Sequence, residues 1–179
     1  MKKLLYALLA VGMVSCGEKK AEIPANQLAG NDFESIDGWM GDNTPASLTK
    51  EKAHSGRYSI KVDPAVEYSM GYSNLLGKLS ASKLRKLKVH GWVNLPNGKT
   101  EAVLVTQITD PANPAAKPIV WEGLKLTDQV KAFNKWVEVE KEIILPDNVT
   151  YANKISVYLW RTGAPEPAFL DDLTIEKVD

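Results

Sequence analysis

The chain has 179 residues, which is enough for one domain with a sizeable core but hardly enough for two. Lysine and arginine together number 22, as do aspartate and glutamate, so no basic surplus suggests a nucleic-acid partner. Cys16 is the single cysteine, which excludes an intrachain disulfide and a cysteine metal cluster.

Residues 1–15 have the layout of a secretory signal. A basic start precedes an apolar run over residues 4–14, which is too short to span a bilayer. Met13-Val14-Ser15-Cys16 resembles a bacterial lipobox, which implies cleavage before Cys16 and its acylation, for example with palmitate. We therefore expect an exported protein that is lipid-anchored to the bacterial cell envelope, at the outer membrane. The alternative is an ordinary signal peptide with a chance cysteine.

Residues 16–29 are polar, contain Pro24 and show no periodicity. They are typical of a tether that holds a folded domain away from a membrane. The domain itself is predicted over residues 30–179.

From residue 31 onward, short alternating segments are separated by turn residues. One patch, residues 80–86, is moderately helical and short. Many short strands with turn chemistry between them predict an all-β antiparallel sandwich of the jelly-roll kind. The predicted strands cover residues 31–34, 46–51, 57–62, 67–75, 87–95, 102–109, 118–126, 136–145, 154–161 and 168–177.

The strand predicted over residues 168–177 contains a carboxylate in an unusual place. Alternate residues from Phe169 to Ile175 form an apolar face, and Asp171 lies among them. We expect this face to point into the core and the strand to pair with the opening strand at residues 31–34. A buried carboxylate is costly unless it is paired, hydrogen-bonded or bound to a metal.

Several segments together resemble the carbohydrate-binding modules of the galactose-binding-like jelly-roll type. The resemblance covers residues 30–179 and implies a non-catalytic binding domain, in which Trp39 and Trp136 pack structurally. The segments that carry it are Asn31-Asp32-Phe33-Glu34, Gly38-Trp39, residues 54–62 (His-Ser-Gly-Arg-Tyr-Ser-Ile-Lys-Val), Gly91-Trp92-Val93, Trp136, Leu145-Pro146 and Leu170-Asp171-Asp172-Leu173.

The same resemblance implies a structural calcium ion. Its ligands would be the Glu34 and Asp171 side chains, the Asp32 carbonyl and a carbonyl near Lys52. Ca²⁺ accepts such mixtures of carboxylate and carbonyl oxygens. In the alternative, Asp171 accepts hydrogen bonds from backbone amides, or pairs with Lys52 or Arg57.

A second candidate site is an aromatic sheet face. Trp92, Trp121, Tyr158 and Trp160 each fall opposite the aliphatic face of their strands, and Gln107 falls on a similar face. Sugars stack on aromatic rings, and their hydroxyls bind planar polar side chains. The pattern predicts a glycan-binding surface if the three tryptophans share one exposed concave face. Otherwise the rings pack under loops or against one another.

Enzymatic alternatives find less support in the sequence. Val105-Thr106-Gln107-Ile108 is similar to an element of jelly-roll alginate lyases, but Thr109 stands where that element has histidine. Asp171 and Asp172 are adjacent on one strand, whereas a glycosidase places two carboxylates across the scissile bond.

We therefore expect carbohydrate binding without cleavage. A structural or protein-interaction domain of the cell envelope is the second reading, and a lyase-like enzyme is the third. The expected partners are a carbohydrate, the membrane through the lipid on Cys16, and neighbouring envelope glycan-processing proteins. No nucleic-acid partner is expected.

Overall fold

The computed structural model describes residues 23–35, 45–163 and 165–178, which form two antiparallel sheets. The predicted all-β sandwich is confirmed. The elements in chain order are β1 (Gln27–Asn31), β2 (Leu48–Thr49), β3 (Ser59–Val62), β4 (Tyr68–Leu75), α1 (Leu76–Leu79), β5 (Lys86–Asn94), β6 (Ala102–Thr109), β7 (Val120–Lys125), α2 (Leu126–Gln129), β8 (Trp136–Ile144), β9 (Lys154–Arg161) and β10 (Ala168–Lys177).

The two sheets differ in size. The six-stranded sheet has the order β2-β3-β10-β5-β8, with β1 also paired to β10. The four-stranded sheet has the order β4-β9-β6-β7. The chain therefore closes as predicted, with its opening and closing strands paired antiparallel.

The opening strand lies earlier than predicted. β1 ends at Asn31, and Phe33 has a φ of 59°, a left-handed conformation that does not continue a strand. The predicted strand at residues 31–34 is therefore wrong. Because β1 begins at Gln27, the paired structure begins within the segment predicted as a tether.

The core lies between the sheets and follows from strand alternation. In β5, for example, Leu87, Val89 and Val93 are buried, while Lys88, His90 and Trp92 are partly exposed. Inward residues of β9 complete the opposite wall of the core. Fully buried aliphatic side chains from both sheets include Ile60, Leu87, Ile108, Ile155, Leu159, Leu170, Leu173 and Ile175.

A β-bulge changes the alternation of β10. Its register against β5 shifts between Asp171 and Thr174, and Asp172 has a φ of 47°. Before the bulge, Leu170 packs in the core, whereas Asp171 lies opposite Trp92 on the outer face of the six-stranded sheet. The expectation that Asp171 belongs to the core face is wrong because the extra residue shifts the pattern.

In the described part of the chain, helix is limited to α1 and α2, each of four residues. The helical patch predicted at residues 80–86 is wrong, since α1 ends at Leu79 and the chain then crosses to β5 without further helix. Within the ranges that the structure describes, no helix has the length and apolar character needed to cross a membrane.

Candidate functional site

The outer face of the four-stranded sheet collects aromatic side chains from three strands. Trp160 of β9 lies opposite Tyr68 of β4, and Trp121 of β7 lies opposite Gln107 of β6. Tyr158 lies two residues before Trp160 and shares its face. These five residues, Tyr68, Gln107, Trp121, Tyr158 and Trp160, form what we call the aromatic platform.

Three platform rings contact one another at one side of the sheet. The ring centroids of Tyr68 and Trp160 are 6.2 Å apart, and their planes differ by 5°. Tyr158 meets Tyr68 edge-on at 6.1 Å. The Trp160 indole Nε1 donates a hydrogen bond of 3.3 Å to Glu67, which fixes the ring. The arrangement leaves Tyr68 53% exposed, as a flat surface available to a ligand.

A shallow depression of about 310 Å³ lies beside these rings. Gly71 forms part of its floor, opposite Tyr158, and hydroxyl and amide groups surround it. Burial raises the pKa of the Tyr158 phenol above its ordinary value. The lining residues are Tyr68, Ser69, Gly71, Tyr72, Ser73, Gln107, Ser156 and Tyr158.

Trp121 provides a second flat surface on β7. The side chain is 49% exposed, and its ring lies across Gly123. A Cβ atom at Gly123 would approach the Trp121 ring to 2.8 Å, so a side chain there would lift or turn the indole. Glycine at this position lets the indole lie against the sheet.

Trp92 does not belong to the aromatic platform. It lies on β5 in the other sheet, where its ring stacks on His54 with a centroid distance of 4.0 Å. Trp136 meets the same histidine ring edge-on at 5.8 Å. The condition that Trp92, Trp121 and Trp160 share one surface is therefore met by Trp121 and Trp160 alone, and the prediction of Trp92 as a member of that surface is wrong. Trp92 also faces away from the core, but in the other sheet.

Tyr68 is a member of the platform that the sequence pattern did not predict. A register shift between Tyr68 and Gly71 changes the alternation of β4, so Tyr68 faces outward while Tyr72 pairs with Val157 on the core side. Simple period-two reading places Tyr68 and Tyr72 on one face. Only the pairing with β9 separates them.

The candidate calcium ligands lie around another feature, the loop of residues 52–59. Asp171 is fully buried and accepts hydrogen bonds from the backbone amides of His54 (2.7 Å), Ser55 (3.2 Å) and Asp172 (2.8 Å). Asp172 binds the same loop through the His54 Nδ1 at 2.5 Å and the Ser55 hydroxyl at 2.7 Å.

The other candidate ligands reach the same loop. Glu34 Oε1 accepts hydrogen bonds of 2.6 Å from the amides of Arg57 and Tyr58. The Lys52 carbonyl accepts a 2.6 Å hydrogen bond from the Ser59 hydroxyl. Asp32 follows β1 directly. Its side-chain carboxylate accepts a 3.1 Å hydrogen bond from the Glu34 amide. The segment that follows β1 and the bulge of β10 thus meet at this loop.

The pKa values of the Asp171 and Glu34 carboxyls are shifted in opposite directions. Burial raises the pKa of the Asp171 carboxyl to about 6, even though three amides favour its charged form. The amides of Arg57 and Tyr58 hold the pKa of Glu34 below its ordinary value. Among the described residues, no group of three or more His, Cys, Asp or Glu side chains could hold a metal ion, so calcium there would also need backbone carbonyls.

Two sequence predictions fall outside the described residues. The signal peptide with the proposed lipidation site at Cys16 precedes residue 23, and Trp39 lies within residues 36–44.

Comparisons with known proteins bear on the fold. No protein-family model matches the chain, and no curated protein matches it in sequence. Among solved structures, the CBM22-1 xylan-binding domain of Paenibacillus barcinonensis Xyn10C is similar over 89% of this chain and 99% of its own, with 21% identity and a TM-score of 0.54. The chain has the jelly-roll fold of carbohydrate-binding modules.

Other carbohydrate-binding modules share this fold. A Family 16 Carbohydrate Binding Module-2 is similar over 85% of this chain and 100% of its own, with 15% identity and a TM-score of 0.57. The C-terminal family 22 module of Clostridium thermocellum Xyn10B is similar over 87% and 96%, with 14% identity and a TM-score of 0.55. The predicted galactose-binding-like jelly roll is confirmed at the level of the fold.

Proposed function

We propose that the protein binds a carbohydrate chain on the aromatic platform and does not cleave it. The observation that carries this proposal is the parallel pair of Tyr68 and Trp160, with Trp121 exposed elsewhere on the same sheet face. Flat apolar rings suit the C–H faces of sugars. Gln107 and the Tyr158 hydroxyl, which line the adjoining depression, supply hydrogen-bonding groups for sugar hydroxyls.

The neighbouring structures support a polysaccharide as the ligand class. Three of them are named as xylan-binding domains, and all three share the fold over at least 84% of this chain. Because fold alone does not fix a ligand, the sugar and its linkage are the first quantities to measure.

The experiment is a glycan array, followed by titration calorimetry with the best oligosaccharide. Trp160→Ala and Trp121→Ala are each expected to weaken binding roughly tenfold or more, since an aromatic contact contributes on the order of 1 kcal/mol beyond the area that it buries. Phe133→Ala is the control, because Phe133 is an exposed aromatic residue outside the platform.

If binding survives both tryptophan substitutions, the proposal that the carbohydrate binds on the aromatic platform is contradicted. A negative array would favour the envelope interaction domain, and the search would turn to protein partners, including glycan-processing neighbours.

Binding without cleavage agrees with the side chains on the platform. Glu67 is the carboxylate that contacts Trp160, and a glycosidase requires a pair of carboxylates. Gln107 lies on the platform without the histidine that completes the lyase element. Sustained appearance of unsaturated-uronate absorbance with polyuronates would contradict a purely binding role.

We also propose that the protein is exported and anchored through lipid on Cys16. The lipobox-like sequence and the preceding basic and apolar segments support this. Incorporation of labelled palmitate should be lost in a Cys16→Ala variant, and incorporation that persists would exclude this site.

Finally, we propose a structural calcium ion at the 52–59 loop. The support is chemical: Glu34, Asp171 and the Lys52 carbonyl offer oxygen donors, and each of them hydrogen-bonds to a residue of this loop. Asp171 is buried, and the backbone amides that bind it are uncharged, so a cation would offset the cost of its charge. The amide hydrogen bonds alone are the competing explanation.

A further inference from the structure

One end of the sandwich joins the N-terminal segment to two connections that cross between the sheets. Residues 76–86 lead from β4 to β5, and residues 144–154 lead from β8 to β9. They run side by side, with the Leu145 amide bound to the Arg85 carbonyl at 2.8 Å and the Gly77 amide bound to the Tyr151 carbonyl at 2.9 Å.

The first described residues reach this same end. The Lys177 amide donates to the Asn26 carbonyl at 2.8 Å, and the Val178 amide donates to the Lys86 carbonyl at 3.1 Å. The chain before β1 therefore enters beside the crossing connections. We call this region, made of residues 23–26, 76–86, 144–154 and 177–178, the tether end.

The tether end is strongly basic although the whole chain has a net charge of zero. It carries six basic side chains against Asp147, which pairs with Lys83, and the neighbouring Glu142 of β8, which pairs with Lys86, for a net charge of about +4. The loops at the opposite end, residues 95–101, 126–135 and 162–167, carry three of each sign in their described part. The basic residues are Lys78, Lys83, Arg85, Lys86, Lys154 and Lys177.

Exposed apolar side chains accompany these charges. Ile23, Ile144 and Tyr151 are 74%, 79% and 80% exposed, the three highest values among the large hydrophobic residues that the structure describes as exposed. A depression of about 280 Å³ with an apolar floor, formed by residues such as Leu76 and Leu84, lies beside Tyr151. Basic groups around exposed aliphatic and tyrosine side chains are typical of surfaces that meet a bilayer interface.

We infer that the tether end is a membrane-contact surface that binds anionic phospholipid headgroups. The inference rests on the proposed lipid anchor. Cys16 precedes Ile23 by seven residues, so a lipid there can lie no more than about 25 Å from the tether end. Lysine and arginine side chains held near an anionic leaflet are attracted to it within about one Debye length, roughly 10 Å at 0.1 M salt.

The orientation has a consequence for the platform. The strands of the four-stranded sheet lead away from the tether end. When the tether end contacts the membrane, the outer face of this sheet is therefore roughly perpendicular to the bilayer plane. The aromatic platform then remains open to solvent at the side of the molecule while the tether end contacts lipid.

Site-specific fluorescence quenching tests the inference on the full lipidated chain. Once Cys16 is acylated, a single added cysteine can be labelled at Ser82→Cys in the tether end or at Ala132→Cys in the opposite loops; both positions are exposed. The proteins are inserted into phosphatidylcholine vesicles, with or without phosphatidylglycerol, that carry a headgroup quencher.

In anionic vesicles we expect the label at position 82 to be quenched at least about twofold more than the label at position 132. The difference should shrink in ~1 M salt, where the screening length falls to about 3 Å. Lys78→Gln with Lys83→Gln should reduce it. The matched pair Lys131→Gln with Lys135→Gln removes equal charge at the opposite end and should leave it unchanged.

Equal quenching of the two labels, or quenching that is the same in neutral and anionic vesicles, would overturn the inference. Absence of lipid on Cys16 in the mass spectrum would overturn it as well. Glycan binding by the same proteins is measured separately without vesicles, so failure of the platform is distinguished from failure of the tether end.

Discussion

Asp171 combines complete burial with three amide hydrogen bonds, yet the pKa of its carboxyl is raised to about 6. Desolvation therefore outweighs the hydrogen bonds that favour the ionised form. In an unfolded chain an aspartate titrates near ~3.9. Between these two values the folded chain holds more protons than the unfolded chain.

This difference sets the sign of a pH dependence. As pH rises from about 4 to about 6, Asp171 should lower the free energy of unfolding, by on the order of 1–3 kcal/mol, and have a constant effect above that range. Asp171→Asn cannot titrate. The stability of the wild type relative to this variant should therefore fall over the same range, measured by urea unfolding in the presence of a chelator.

The control for this experiment is Asp147→Asn, at a side chain that is 95% exposed. Its difference from the wild type should stay flat over the same pH range. If the stability of the wild type relative to Asp171→Asn rises with pH in the presence of the chelator, the burial argument is contradicted. Calcium, when bound, would favour the ionised form and reverse the slope, which is why the chelator is included.

At the scale of elements, the bulge in β10 depends on Gly91 of the neighbouring strand. A Cβ atom there would lie 2.9 Å from a methyl group of Leu170 and 3.2 Å from the Asp171 carbonyl oxygen. The strand that forms the bulge therefore packs directly onto a position without a side chain.

Gly91→Ala is expected to lower the free energy of unfolding by about 1–3 kcal/mol, the range for overpacking a well-packed core. Chemical denaturation monitored by tryptophan fluorescence measures it. Gly98→Ala serves as the control, since Gly98 is exposed and its added methyl would meet only the ring of Phe133. Equal stability of the two variants would show that the bulge accommodates a side chain.

Strand alternation predicted most of the elements because burial on one face is a local property of the sequence. β5, β6, β9 and β10 lie within one or two residues of their predicted bounds. Alternation alone could not predict the register shifts in β10 and β4. At Asp171 and at Tyr68 a single shifted residue moves later side chains to the other face, and only the partner strand reveals the shift.

The aromatic platform was predictable in part for a related reason. Alternation correctly placed Trp121, Tyr158 and Trp160 away from the core, but it did so equally for Trp92. The pattern identifies a face relative to the core and does not identify the sheet. That information comes from the strand order, which places β5 beside β10 and β9 beside β6.

At the scale of the molecule, the 52–59 loop joins the segment after β1 to the bulge of β10 through Glu34 and Asp171. If calcium binds there, it stabilises the folded state by mass action. We expect a chelator to lower the thermal midpoint and added Ca²⁺ to restore it, with both responses reduced in Glu34→Gln.

Glu142→Gln is the matched control, because Glu142 is a carboxylate on β8 outside this loop, paired with Lys86. It should keep the full calcium response. A thermal midpoint that neither the chelator nor Ca²⁺ changes would leave the amide hydrogen bonds as the sole stabilisation of Asp171.

The position of β10 also bears on how the chain reaches its folded state. Residues 168–177 pair with β1, β3 and β5. β1 therefore obtains its partner, and β3 and β5 obtain their second neighbour, only after more than seventy further residues have been synthesised. Such high contact order makes folding slow, and a nascent chain lacking these residues has an incomplete sheet. Late folding would agree with the proposed export, because a chain that is still unfolded can pass through a narrow secretion channel.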